Sequence, residues 1–121
     1  MQNLALATVA AVALLVLAGC AGSAAVTLEQ EGLVNASGKD RKTVDCASGE
    51  AKLTYKVAGT AGKVKIQVDD ANEDGPRPLD KDEVQGSANG EVDGLKGTAG
   101  TWSLTVDRSG FSGDYTVTLT C

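Results

Sequence analysis

The chain has 121 residues, 22% of them charged, no histidine and a net charge of −5. Once an N-terminal export segment is set aside, that length holds one domain with a modest core and excludes a second. The acidic balance excludes the basic surface that nucleic-acid binding needs, and the missing histidine removes Ser-His catalysis and His-ligated metal sites.

The first element is an apolar run from Leu4 to Leu17 containing only Leu, Ala, Val and one Thr. It has the length of a signal-peptide hydrophobic region and is too short for a transmembrane helix. It closes on Leu17-Ala18-Gly19-Cys20. An aliphatic residue, two small residues and a cysteine in that order resemble the lipobox of bacterial lipoprotein precursors. The resemblance implies a signal peptide over residues 1–19 and lipidation of Cys20 after cleavage, with the protein held on a cell membrane or outer membrane facing the periplasm or exterior. Several acyl chains would make such anchoring effectively permanent. Residues 20–25 then form the lipidated cysteine and a short tether, and 26–121 the folded domain. The five small residues Ala21 to Ala25 reach at most about 17 Å when extended, which predicts a domain close to the lipid surface.

After the tether, apolar residues alternate with polar ones, the mark of strands with one buried face. The alternation is clear at Leu53, Tyr55 and Val57; at Val64, Ile66 and Val68; at Trp102, Leu104 and Val106; and at Tyr115, Val117, Leu119 and Cys121. Shorter strands are expected at Leu28 to Val34, at Val44 and Cys46, and at Val92 to Leu95. Only four aromatic residues are present, so Val, Leu and Ile must build most of the core. No helical periodicity follows Cys20. These features predict an all-β chain forming a single antiparallel β-sandwich, jelly-roll-like, or a small barrel. A Gly-Thr-Ala-Gly turn and the strand after it occur twice, at Gly59 to Asp69 and Gly97 to Asp107, and both segments are expected to be strands that begin after a glycine turn.

Of the three cysteines, Cys20 is assigned to the anchor, leaving Cys46 and Cys121. Both fall on the apolar phase of their strands, and in an oxidising compartment a disulfide between them is the expected state. Two sulfurs without histidine fall short of a tetrahedral zinc shell, so no metal site is assigned. Asp70-x-Asn72-x-Asp74-Gly75 resembles the start of an oxygen-rich calcium loop, but Lys81 stands where an EF-hand needs its bidentate Glu, and Pro76 and Pro78 constrain the middle. A solvated acidic turn accounts for the same residues.

Charge is unevenly placed. Asp69 to Glu83 holds seven acids against Arg77 and Lys81, whereas Lys39 to Lys65 holds seven bases against Asp40, Asp45 and Glu50. On the strand phase, Lys52, Lys56, Lys63 and Lys65 point away from the core. Such lysines keep a sheet soluble or, near a membrane, meet anionic headgroups or an acidic glycan.

The segment from Gly100 to Cys121, with a glycine-containing loop expected at Arg108 to Asp114, resembles the last hairpin of jelly-roll accessory domains such as the convertase P-domain and the bacterial pre-peptidase C-terminal domain. That resemblance implies a sandwich and a non-catalytic role. Val44-Asp45-Cys46 followed by Leu53-x-Tyr55-x-Val57 is similar to membrane-bound lysozyme inhibitors, although Ser109 to Tyr115 does not match their Ser-Gly-x-Arg-Tyr loop. No catalytic residue and no cofactor is assigned. The expected function is a non-catalytic binding or structural module in the envelope, partnered by the membrane through its anchor and by an envelope protein or glycan. Inhibition of an envelope-targeting enzyme such as lysozyme is the alternative.

Overall fold

The computed structural model describes residues 24–121 except Glu73, with the backbone alone for Lys81 and Asp82. The expected signal peptide over residues 1–19 and the expected lipidation site Cys20 lie outside the described residues. Four strands follow in order: β1 (Ala25–Cys46), β2 (Glu50–Asp69), β3 (Leu79–Lys96) and β4 (Gly100–Thr120). They form one antiparallel sheet in the order β1-β4-β2-β3. No helix occurs among the described residues.

These strands are long, and the sheet is folded across its middle. β4 has 21 residues and would span about 70 Å if straight. Cys46 pairs with Gly100 at the start of β4, yet its Cα lies 5.2 Å from that of Cys121, one residue beyond the end of β4. The two ends of β4 therefore meet. One layer consists of residues 25–33, 113–120, 50–59 and 87–96, and the other of 38–46, 100–108, 63–69 and 79–85. Counted as eight half-strands in chain order, the first pairs with the eighth, the second with the seventh, the third with the sixth and the fourth with the fifth. That is the wrapping of a jelly roll, and the fold is the expected antiparallel sandwich.

The fold line is marked by register shifts, at Gln30 to Gly38 in β1 and Ala58 to Lys63 in β2. Two glycines there are sterically required. Gly62 has φ 75° and Gly113 φ 138°, a region that side chains disfavour. A β-carbon on Gly62 would strike the carbonyl of Gly110, and one on Gly113 the carbonyl of Ala58.

Between the layers, Leu53, Val57, Val117 and Leu119 of one face Val64, Ile66, Val68, Leu104 and Val106 of the other, all essentially inaccessible. Phe111 fills the fold line with its ring centroid 6.0 Å from that of Tyr115. Trp102 is fully buried, and its indole nitrogen donates to the Thr98 carbonyl at 2.8 Å, the partner that a buried indole requires. The disulfide joins Cys46 to Cys121 as the strand phase predicts.

Three expectations are corrected. Arg108 to Asp114 is not a loop but the bend within β4, and Gly59 to Gly62 is likewise a bend inside β2. β3, expected only at Val92 to Leu95, runs from Leu79 to Lys96. β3 is an edge strand with one neighbour, and its buried positions, Val84 and Leu95, are too few and too irregularly spaced across the register shifts to show alternation. The two echoing segments run antiparallel beside each other, with Ile66 opposite Val106 and Val68 opposite Leu104.

Candidate functional site

The inward phase of Trp102, Leu104 and Val106 forces Thr101, Ser103 and Thr105 onto the outer face of their layer. Cross-strand register then sets their neighbours. Arg41 of β1 and Gln67 of β2 flank Thr105, while Thr43 and Asp69 flank Ser103. The central side chains are short and those beside them longer, so β4 becomes the floor of a cleft. Ser103 and Thr105 are only 4% and 7% exposed although they face outward.

Arg77, from the connection between β2 and β3, closes one side: its Nε donates to Asp69 Oδ1 at 2.7 Å and its Nη1 to Asp80 Oδ2 at 3.5 Å. Asp69 in turn holds the guanidinium charged, above its ordinary range. The cleft has a volume of about 650 Å³ and includes Lys39 at its far end, within the size range of ligand sites.

The two walls differ electrostatically. On the β2 and β3 side, bases meet acids: Arg77 pairs with Asp69 at 2.7 Å, Lys65 with Asp80 at 3.5 Å and Lys63 with Glu83 at 3.0 Å, while Lys52 pairs with Glu91 at 2.9 Å in the other layer. Exposed pairs of this kind stabilise little singly, but together they favour this register over others. On the β1 side, Arg41 donates through Nη2 to Ser103 Oγ at 3.3 Å, and neither Arg41 nor Lys39 has an ion pair among the described residues. The cleft thus offers hydroxyls, an amide, carboxylates and two cations without an ion pair among the described residues, Lys39 standing opposite Asp107 in the register, a surface suited to hydrogen bonding and charge recognition. Trp102 turns its ring into the core, so the floor lacks an aromatic platform.

A second polar cluster joins the layers from within. Asp40 of β1 accepts from the hydroxyl of Tyr115, from Arg108 Nη1 at 2.9 Å and from Gln30 Nε2 at 3.1 Å. Arg108 Nη1 also donates to the Tyr115 oxygen at 3.0 Å. Burial chiefly, and then the bond to Asp40, push the Tyr115 hydroxyl up to about 12. Burial opposes the charge on Asp40, yet the bonds from Tyr115, Arg108 and Gln30 outweigh it and hold the carboxyl below its ordinary value. With its acceptor positions engaged, this cluster is a clasp between layers.

The acidic turn is organised by its own backbone. Asp70 accepts from the amides of Thr98 at 2.7 Å and Asn72 at 3.1 Å, and Asn72 from that of Asp74 at 3.3 Å. These are turn-forming bonds, and Asp70 anchors the connection to the start of β4. Of the four lysines expected as an outward patch, Lys52, Lys63 and Lys65 are neutralised by β3, and the four are split between the two layers. The cleft itself escapes a reading based on apolar phase. Its trace in the sequence is the polar partner phase, Lys39-x-Arg41-x-Thr43 and Thr101-x-Ser103-x-Thr105, which shows nothing until register places the two side by side.

No protein-family model and no curated protein matches the sequence. Among solved structures, the chain is similar to the carbohydrate-binding module TmCBM61, solved with β-1,4-galactotriose, at 22% identity and TM-score 0.51. The match covers 78% of this chain and 65% of that module, so the chain spans less than two thirds of its length. It is also similar to PliG of Aeromonas hydrophila, a periplasmic inhibitor of g-type lysozyme, at 13% identity and TM-score 0.45 over 84% of this chain and 87% of that one. The likeness to TmCBM61 agrees with the class of the fold, a β-sandwich.

Proposed function

We propose that the chain is a lipid-anchored envelope protein whose sandwich is a non-catalytic binding module, with the cleft over Ser103 and Thr105 as its binding surface. The observation that carries this reading is the cleft's construction. Outward-facing hydroxyls are sunk between longer side chains on a rigid central strand, the arrangement that preorganises hydrogen-bonding groups for a ligand. A glycan is the ligand class that such a lining fits, and TmCBM61 is a sandwich solved with one. The absence of histidine from the whole sequence supports a role without chemistry of its own.

Anchoring through Cys20 rests on the Leu17-Ala18-Gly19-Cys20 tetrapeptide. At the start of the described residues the Cys121 amide donates to the Ala24 carbonyl at 2.8 Å, which puts Ala24 at the disulfide end of the sandwich, while the cleft lies on a side face. The test is fractionation of cells producing the wild type or Cys20→Ala, with mass spectrometry of the mature N-terminus. Wild type in the membrane fraction with an acylated Cys20, and loss of both in the variant, support anchoring; an unmodified cysteine refutes it. Binding is tested by obstruction of the cleft with Thr43→Trp, which should abolish retention on an envelope glycan. Full lysozyme activity in the presence of the protein separates this role from inhibition.

A further inference from the structure

We infer that the ligand is an anionic glycan, a polyhydroxylated chain bearing carboxylate or phosphate, with its negative groups seated on the β1 wall of the cleft; this rests on the cleft being the binding surface. Two observations lead there independently. The first is the missing platform. A neutral sugar on this floor would gain mainly neutral hydrogen bonds, each exchanged against one to water and worth little net. Charge-assisted bonds are roughly twice as strong, and Lys39 and Arg41 are the groups able to make them.

The second is the distribution of partners. Six ion pairs occupy Lys52, Lys63, Lys65, Arg77 and Arg108, Arg77 making two of them. Lys39 and Arg41, both exposed and both lining the cleft, have none among the described residues. Arg41 is nonetheless positioned, because Ser103 fixes one arm of its guanidinium at 3.3 Å and leaves the rest of the planar fork for a ligand. The opposite wall carries Asp69, bonded to Arg77. That wall is neutralised within itself, so an anionic chain is drawn to β1, which fixes the side on which its charges lie. Ser103 and Thr105 would meet its hydroxyls.

The test uses the full-length protein in detergent, titrated calorimetrically with polygalacturonate, with a glycerol-phosphate polymer and with neutral β-1,4-galactan. The expected result is binding to at least one of the charged polymers, weakened by salt. It should fall at least about tenfold in Arg41→Gln, the loss expected when one charge-assisted bond goes, and less in Lys39→Gln, with unchanged thermal midpoints. The two charged polymers distinguish carboxylate from phosphate as the source of charge. Galactan bound as tightly as both, or charged-polymer binding indifferent to Arg41→Gln and Lys39→Gln together, overturns the anionic assignment and leaves the cleft as a neutral glycan site. Binding that survives Thr43→Trp unchanged overturns the cleft itself. No binding to any of the three overturns the anionic assignment.

Discussion

The hydroxyl of Tyr115 donates to the carboxylate of Asp40, 75 residues earlier in the chain and in the opposite layer of the sandwich. Both residues lie on the inward phase of their strands, and Arg108 and Gln30 complete the cluster. The bond therefore ties the two layers near the line where the sheet folds.

Replacing Tyr115 with Phe removes that tie while keeping the ring beside Phe111. Asp40 and Arg108 are then left half-buried with one partner fewer, a loss of about 1–3 kcal/mol. Urea denaturation should show a lower midpoint with an unchanged slope; a change in slope would mean that the sandwich itself had loosened.

The same cluster predicts opposite behaviour at the two ends of the pH scale. Tyr115 titrates at about 12 against a reference of 10.0. Its contribution is fully present below pH 10 and is lost as pH rises through 12. Asp40 titrates below its reference of 3.8, so its contribution is present above pH 3.8 and is lost as pH falls through the lowered value. Ultraviolet titration should place one phenolate near pH 12 and find it gone in Tyr115→Phe, and that variant should lose less stability than the wild type between pH 10 and 12.

The Cys46–Cys121 bridge closes a 75-residue span, for which the chain-entropy model gives about 4.5 kcal/mol. Reduction should lower the melting temperature sharply. Cys46→Ala and Cys46→Ala/Cys121→Ala should melt alike, because either change breaks the one bond. Full additivity of the two changes would show that the thiols stabilise through packing alone.

At the fold line, Gly62→Val puts a branched side chain at φ 75° and against the carbonyl of Gly110. The combined strain and collision should cost more than about 3 kcal/mol, visible as poor soluble yield. Gly32, also at positive φ but with open space around a β-carbon, should tolerate Ala at a cost of about 1–2 kcal/mol. Equal loss at both positions would mean that backbone conformation, not the collision, governs the bend.

Strand content was legible wherever one face is buried. The periodicity at Leu53 to Val57, Val64 to Val68, Trp102 to Val106 and Tyr115 to Leu119 coincides with the core, because burial on a pleated strand selects alternate residues. It failed at β3, where one neighbour and several bulges leave the pattern broken, and at Arg108 to Asp114, where small residues that look like a loop instead bend a continuous strand. The charge asymmetry was visible but not its purpose: the basic stretch of β2 and the acidic stretch of β3 are cross-strand partners.

The primary structure by itself determined the all-β class, the inward face of four strand segments and the pairing of Cys46 with Cys121, since each depends on local period or on the few cysteines available. Only the tertiary structure decided that each strand runs through both layers, that Asp40 meets Tyr115, and that Arg41, Ser103 and Gln67 share one cleft. Those relations depend on register and on where glycine lets the sheet fold, and both are settled by packing between residues far apart in the chain.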